Sequence, residues 1–145
     1  MAEFVKQYDE KGEAYVALTL ASGTADAAPA YSVDRLIDAL EFLAKSGGYV
    51  QLAESTALAL NDDQLRRLKV TGLCSGIRAV NPNRSSQKVS TLSRAATATA
   101  PIQLCIKDTK TPVTVYGVVV DCGANTVENQ WAAVRVENAA DVTLE

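Results

Sequence analysis

The sharpest hydrophobic pattern in the chain lies between Val33 and Ala44. Val33, Leu36, Ile37, Leu40, Leu43 and Ala44 recur at three- and four-residue spacing, which places them on one face of a helix. Ser32 stands at the N-cap position, Asp34 complements the positive end of the helix dipole, and Lys45 falls in the last turn before Gly47-Gly48. These signals predict an amphipathic helix over about 33–46, with Arg35, Asp38 and Glu41 on its solvent face. A shorter helix is expected over about 62–70. Asn61 or Asp62 caps it, Leu65 and Leu68 point inward, and Arg66, Arg67 and Lys69 point outward. A helix of that length does not hold alone and must dock on a larger body.

Elsewhere the period is two. Tyr15–Leu20 places Val16, Leu18 and Leu20 on one side, and Ile102–Lys107 alternates Ile102, Leu104 and Ile106 against Gln103, Cys105 and Lys107. Tyr49–Leu52 and Thr56–Leu60 are read as strands paired across Ala53-Glu54-Ser55, with a helix as the alternative for the second. Asp108–Pro112 is a turn signal, so Val113–Asp121 is expected to return as the second arm of a hairpin. That arm is apolar on both faces, which places it centrally in its sheet. Residues 132–137 and 142–144 read as exposed-face or edge strands. No internal repeat stands out. The expected class is therefore α+β and β-rich: an antiparallel sheet, or a sandwich or barrel, with two helices.

Composition sets the frame. An apolar share of 48% against 21% charged residues belongs to a globular chain, and 145 residues suit one domain over 1–145. Within it, 21–31 and 80–100 are expected to be extended or mobile segments, since long loops are uncommon in compact domains. The first ten residues lack an apolar core of the signal-peptide type, and no run approaches the length of a membrane helix. No membrane partner is expected. Cys74, Cys105 and Cys122 are too few and too scattered for a metal knuckle and are read as free thiols.

Candidate chemistry is thin. The chain contains no histidine, so no Cys-His or Ser-His dyad and no imidazole metal site can form within it. Gly72-Leu-Cys74-Ser-Gly76 has the outline of a nucleophile elbow, but Pro82 leaves little room for the helix such an elbow requires. A buried thiol in a glycine-flanked turn is the expected reading. Asp62 and Asp63 are adjacent and diverge on a helix, where capping accounts for them. Asp34, Asp38 and Glu41 belong to a solvated face, and no spacing rule joins Asp121 to Glu128. The chain is expected not to be an enzyme and to need no cofactor.

Charge adds the most. Residues 1–63 hold four basic and eleven acidic side chains, and residues 111–145 hold Arg135 against five acids. Between them, Arg66, Arg67, Lys69, Arg78, Arg84, Lys88, Arg94, Lys107 and Lys110 face Asp108 alone. A net charge of −3 thus conceals a basic middle between acidic ends. Folding can interleave these segments into a mixed surface. Alternatively, the nine basic residues are candidate contacts to a neighbouring copy or to nucleic-acid phosphate. No aromatic residue lies between Tyr49 and Tyr116, so base stacking is unavailable inside the basic segment. The leading expectation is a self-associating homo-oligomer. A module binding phosphate through 64–110 is the alternative.

The abundance of Ala, Thr, Val and Ser, the free cysteines and the β-rich pattern without catalytic signatures resemble small virion proteins of bacteriophages, such as decoration, tail or coat subunits. The resemblance is one of overall character and carries over no site residue. It implies a structural subunit located in the virion, assembled in the host cytoplasm and partnered by other virion proteins, with a plain cytoplasmic location as the alternative.

Overall fold

The computed structural model of the chain describes residues 4–19, 30–53, 56–80, 89–123 and 132–145. A hairpin of β1 (Gln7–Tyr8) and β2 (Ala14–Thr19) leads to β3 (Tyr31–Ser32), a 3-10 turn at Val33–Arg35 and helix α1 (Leu36–Ser46). Three coils follow, each a succession of three strands. The first holds β4 (Gly48–Leu52), β5 (Ala57–Leu60) and β6 (Lys69–Gly72), with α2 (Asp62–Arg66) between the last two. The second holds β7 (Cys74–Ala79), β8 (Ser90–Arg94) and β9 (Leu104–Thr109). The third holds β10 (Val113–Tyr116), β11 (Val118–Val120) and β12 (Val134–Glu137), after which β13 (Val142–Leu144) begins another turn.

From β4 onward each strand pairs with its counterpart in the coil before or after, not with its neighbour along the chain; only β1–β2 and β2–β3 pair between neighbours. Sheet A runs β2-β4-β7-β10-β13, sheet B runs β5-β8-β11 and sheet C runs β6-β9-β12, all through parallel pairs. Only β1 and β2 pair antiparallel. The result is a three-sided parallel β-solenoid, in which each coil touches chiefly the coils beside it. The β-rich class with two helices holds. The antiparallel sheet, sandwich or barrel does not: β4 and β5 make no hairpin, nor do β9 and β10.

The expected second hairpin arm, Val113–Asp121, shows why. Gly117, at a φ of 68°, turns the chain from sheet A to sheet B between β10 and β11. Val113 and Val115 face inward before the corner. After it, Val120 pairs with Leu92 and takes the inward parity. Two short strands joined at a bend carry apolar residues on both parities, as does one central strand. β10 is indeed internal to sheet A, whereas β11 lies at the edge of sheet B. The three-coil repeat also replaces the reading of no repeat. Its coils start at Gly48, Cys74 and Val113, at unequal intervals, so no fixed period marks them.

The interior is built of apolar ladders. Val16, Val50, Ile77 and Val115 stack in register in sheet A, and Val70, Ile106 and Val136 do so in sheet C. Leu58 and Leu92 pair in sheet B, and nearly all of these join one continuous core. Helix formation covers 33–46 as expected, with the first turn 3-10 and the end at Gly47. Helix α1 lies alongside β6. Near one end the Gln64 amide donates to the Asp34 carbonyl (3.3 Å), and near the other the Leu73 N–H donates to the Ala44 carbonyl (2.9 Å). Its buried Leu36, Ile37, Leu40 and Leu43 close the core on that side. The second helix stops at Arg66, four residues short of expectation, because Lys69 already belongs to β6. Asn61 caps it: its side chain accepts from the Gln64 N–H (2.9 Å), and the Gln64 side chain accepts from the Asn61 N–H (3.0 Å). Of the segments expected to be extended or mobile, 90–94 is strand β8, while 21–29 and 81–88 lie outside the described residues.

Candidate functional site

Stacking coils brings residues distant in sequence to one surface, and this selects among the nine basic candidates. On the outer face of sheet C, Lys69, Cys105 and Arg135 occupy one register position on three successive strands. Neighbouring strands lie ~4.8 Å apart, so Lys69 and Arg135 are separated by roughly 10 Å across the sheet. Lys107 pairs in register with Glu137 one step along, and Arg66 projects from α2 at the rim. Together these residues line a groove of about 390 Å³, which Gln103 also borders. Arg135 forms an ion pair with Glu137 at 2.9 Å, and Glu137 is the only carboxylate of the lining. Arg66, Lys69 and Lys107 form no salt bridge with any described residue.

The remaining candidates are dispersed or already engaged. Arg67 is held between the two helices, 2.6 Å from Glu41 and 2.9 Å from Asp63, and these carboxylates raise its pKa further above the ordinary guanidinium value. Arg78 makes paired bonds to Glu13 (2.8 and 3.1 Å) and lies 4.0 Å over the Tyr49 ring. Arg94 takes the inner parity of β8, beside Ser90 and Leu92, and donates to the Cys122 carbonyl (3.4 Å). Lys110 sits exposed at the corner between sheets C and A, away from the groove. Arg84 and Lys88 lie outside the described residues. The basic middle is therefore partly interleaved with acids from the first third, and three of its members converge. Arg135 was missed because it belongs to the acidic final third. The signal that finds it is the match of the alternating segments Leu104-Cys-Ile and Val134-Arg-Val once the corners are aligned.

The suspected elbow has another explanation. Cys74 is fully buried, and burial pushes its thiol up to about 11, away from a reactive thiolate. It begins β7 and is followed by strand, not helix. Gly76, at a φ of 127°, packs so closely on the next coil that a β-carbon there would overlap the Thr114 carbonyl oxygen. The glycine serves coil stacking.

The carboxylates are likewise structural. Asp63 holds Arg67. Asp62, expected as a cap, instead accepts from the N–H groups of Thr99 (2.9 Å) and Ala100 (2.8 Å) and from the Thr99 hydroxyl (3.1 Å), stitching the first coil to the second. Those donors, led by the two backbone N–H groups, hold its pKa below the usual carboxylate value. Asp9 accepts from the N–H groups of Glu13 and Lys11 (both 2.9 Å) and from the Tyr49 hydroxyl (3.0 Å). Ser75 adds a bond to Glu13 (2.8 Å), so Asp9 and Glu13 tie the turn of the β1–β2 hairpin to β4 and β7. Asp121 accepts from the Gly123 N–H (2.8 Å), and Glu128 lies outside the described residues.

Among the described residues no group of three or more Cys, Asp or Glu is arranged to hold a metal ion. No described helix is long and apolar enough to cross a membrane. Compared with protein families, curated proteins and solved structures, the chain matches none.

Proposed function

We propose that this chain is a non-enzymatic structural subunit that associates with other copies of itself by extending the solenoid from its β11–β12–β13 end. One observation carries the reading. Along the inward ladder of sheet C, Val70 and Ile106 are fully buried while Val136 is 47% exposed; in sheet A, Ile77 is fully buried while Leu144 is 53% exposed. Residues on a core parity become exposed at the last rung, where no described element covers them. The outer edges of β11, β12 and β13 also pair with no described strand. Such an edge is a template for further strand pairing, and a solenoid needs a cap or a partner there. The opposite end, by contrast, has α1 alongside β6.

The compositional resemblance to phage virion subunits supports the same reading, with the virion, assembled in the host cytoplasm, as the setting proposed. Light scattering on the eluting protein tests it. The wild type is expected to run as an oligomer, and Val136→Lys with Leu144→Lys is expected to shift it to monomer with an unchanged β-sheet circular dichroism spectrum. A wild-type monomer at high concentration, or an oligomer indifferent to both lysines, would refute the proposal.

A further inference from the structure

We infer that the groove on the outer face of sheet C binds a compact chain of phosphoryl groups, through Arg66, Lys69, Lys107 and Arg135. This goes beyond self-association: the groove runs across the outer face of sheet C, from β6 to Arg135 and Glu137 on β12, whereas the proposed contact between copies uses the free edge of β12 and the inward-parity Val136.

The first argument is what these side chains do otherwise. Arg67 and Arg78 each join elements of the fold through carboxylates. Lys69 and Lys107 form no ion pair with a described carboxylate, and Arg66 forms none either, acting on Asp62 only through its field. With Arg135 the cluster draws on three coils, Arg66 and Lys69 from the first, Lys107 from the second and Arg135 from the third, so it is more than a local run of basic residues.

The second argument is ligand chemistry. Four cations and one carboxylate leave the lining with an excess of three positive charges along roughly 10 Å. A single carboxylate cannot neutralise that excess, whereas linked phosphoryl groups place a charge at every short step. Guanidinium forks and lysine ammonium groups both match phosphoryl oxygens. The lining contains no aromatic residue, which removes the platform that bases use. At about 390 Å³ the groove lies within the range of small-ligand sites, ~300–1,000 Å³. Recognition here is by charge and phosphoryl geometry.

Cys105 supplies a built-in reporter, since it lies half-buried in the groove between Lys69 and Arg135. Titration calorimetry with sodium tripolyphosphate is expected to show binding at low salt that weakens steeply as salt is raised. The same ligand is expected to slow alkylation of Cys105 and leave Cys122 unaffected. Lys69→Glu combined with Arg135→Glu, both at exposed positions, should lower affinity roughly tenfold or more while circular dichroism stays unchanged. An oligothymidylate that competes with tripolyphosphate identifies a nucleic-acid backbone as a source of the phosphoryl groups; one that does not compete identifies free polyphosphate. The inference is overturned if tripolyphosphate does not bind, if citrate binds as tightly, or if the double variant binds unchanged. It is equally overturned if that variant alters only the oligomeric mass, which would make the groove a contact between copies.

Discussion

Ile77→Ala tests the solenoid at its centre. Ile77 is fully buried on β7, with Val50 in register on one side and Val115 on the other. Removing buried methyl and methylene groups costs their transfer free energy plus that of the cavity left behind, about 2–5 kcal/mol for isoleucine to alanine. Here the flanking valines sit on strands held by ladder hydrogen bonds on either side, so the cavity collapses little and the upper half of that range applies. The expected loss is about 3–4 kcal/mol, against a total of roughly 7–20 kcal/mol for a chain of this length. Urea unfolding followed by circular dichroism should show a midpoint lower by roughly 1.5–2 M with an unchanged slope. Thr114, adjacent to Val115 and of opposite parity, is the control: Thr114→Ala is expected to cost about 0.5 kcal/mol or less. A loss below about 1 kcal/mol for Ile77→Ala, or comparable losses at the two sites, would show that sheet A does not have this register.

Two further outcomes follow from buried and hydrogen-bonded groups. In the native protein a thiol reagent should modify Cys105 and Cys122, both half-buried, and reach Cys74 only on unfolding, given a thiol pushed up to about 11 by burial; rapid modification of all three would contradict the placement of Cys74. Asp62 has a folded-state pKa below its ordinary 3.8 because backbone N–H groups of Ala100 and Thr99 favour the carboxylate. Its contribution to stability is therefore present above that value and is lost as pH falls through the lower folded value. Asp62→Asn should flatten the acid limb of a profile of thermal midpoint against pH, and an unchanged limb would remove the carboxylate from the link between the first and second coils.

The local elements were readable because they depend on nearby residues. A three-and-four apolar spacing with Gly47 behind it specifies α1 wherever the helix comes to lie, and the Asn61 cap is visible one residue before the chain turns. Alternation likewise places most strands within a few residues. Pairing was not readable, because an alternating strand carries the same pattern beside a parallel or an antiparallel neighbour. Corners of unequal length hid the repeat: α2 fills one between β5 and β6, whereas Gly117 alone makes another.

The same division governs the site. The absence of histidine, the scattered cysteines and the basic middle follow from composition and order alone, and they exclude or suggest whole classes of chemistry. Which cations stand together follows from coil stacking. Parallel register carries Arg135 from an acidic segment to the row of Lys69, and ion pairs across elements commit Arg67 to Glu41 and Arg78 to Glu13. Charge counted along a chain is one-dimensional. Electrostatic energy depends on distance in space, and in a solenoid that distance is set by the strand above and below, whose partners lie a full coil away in the chain.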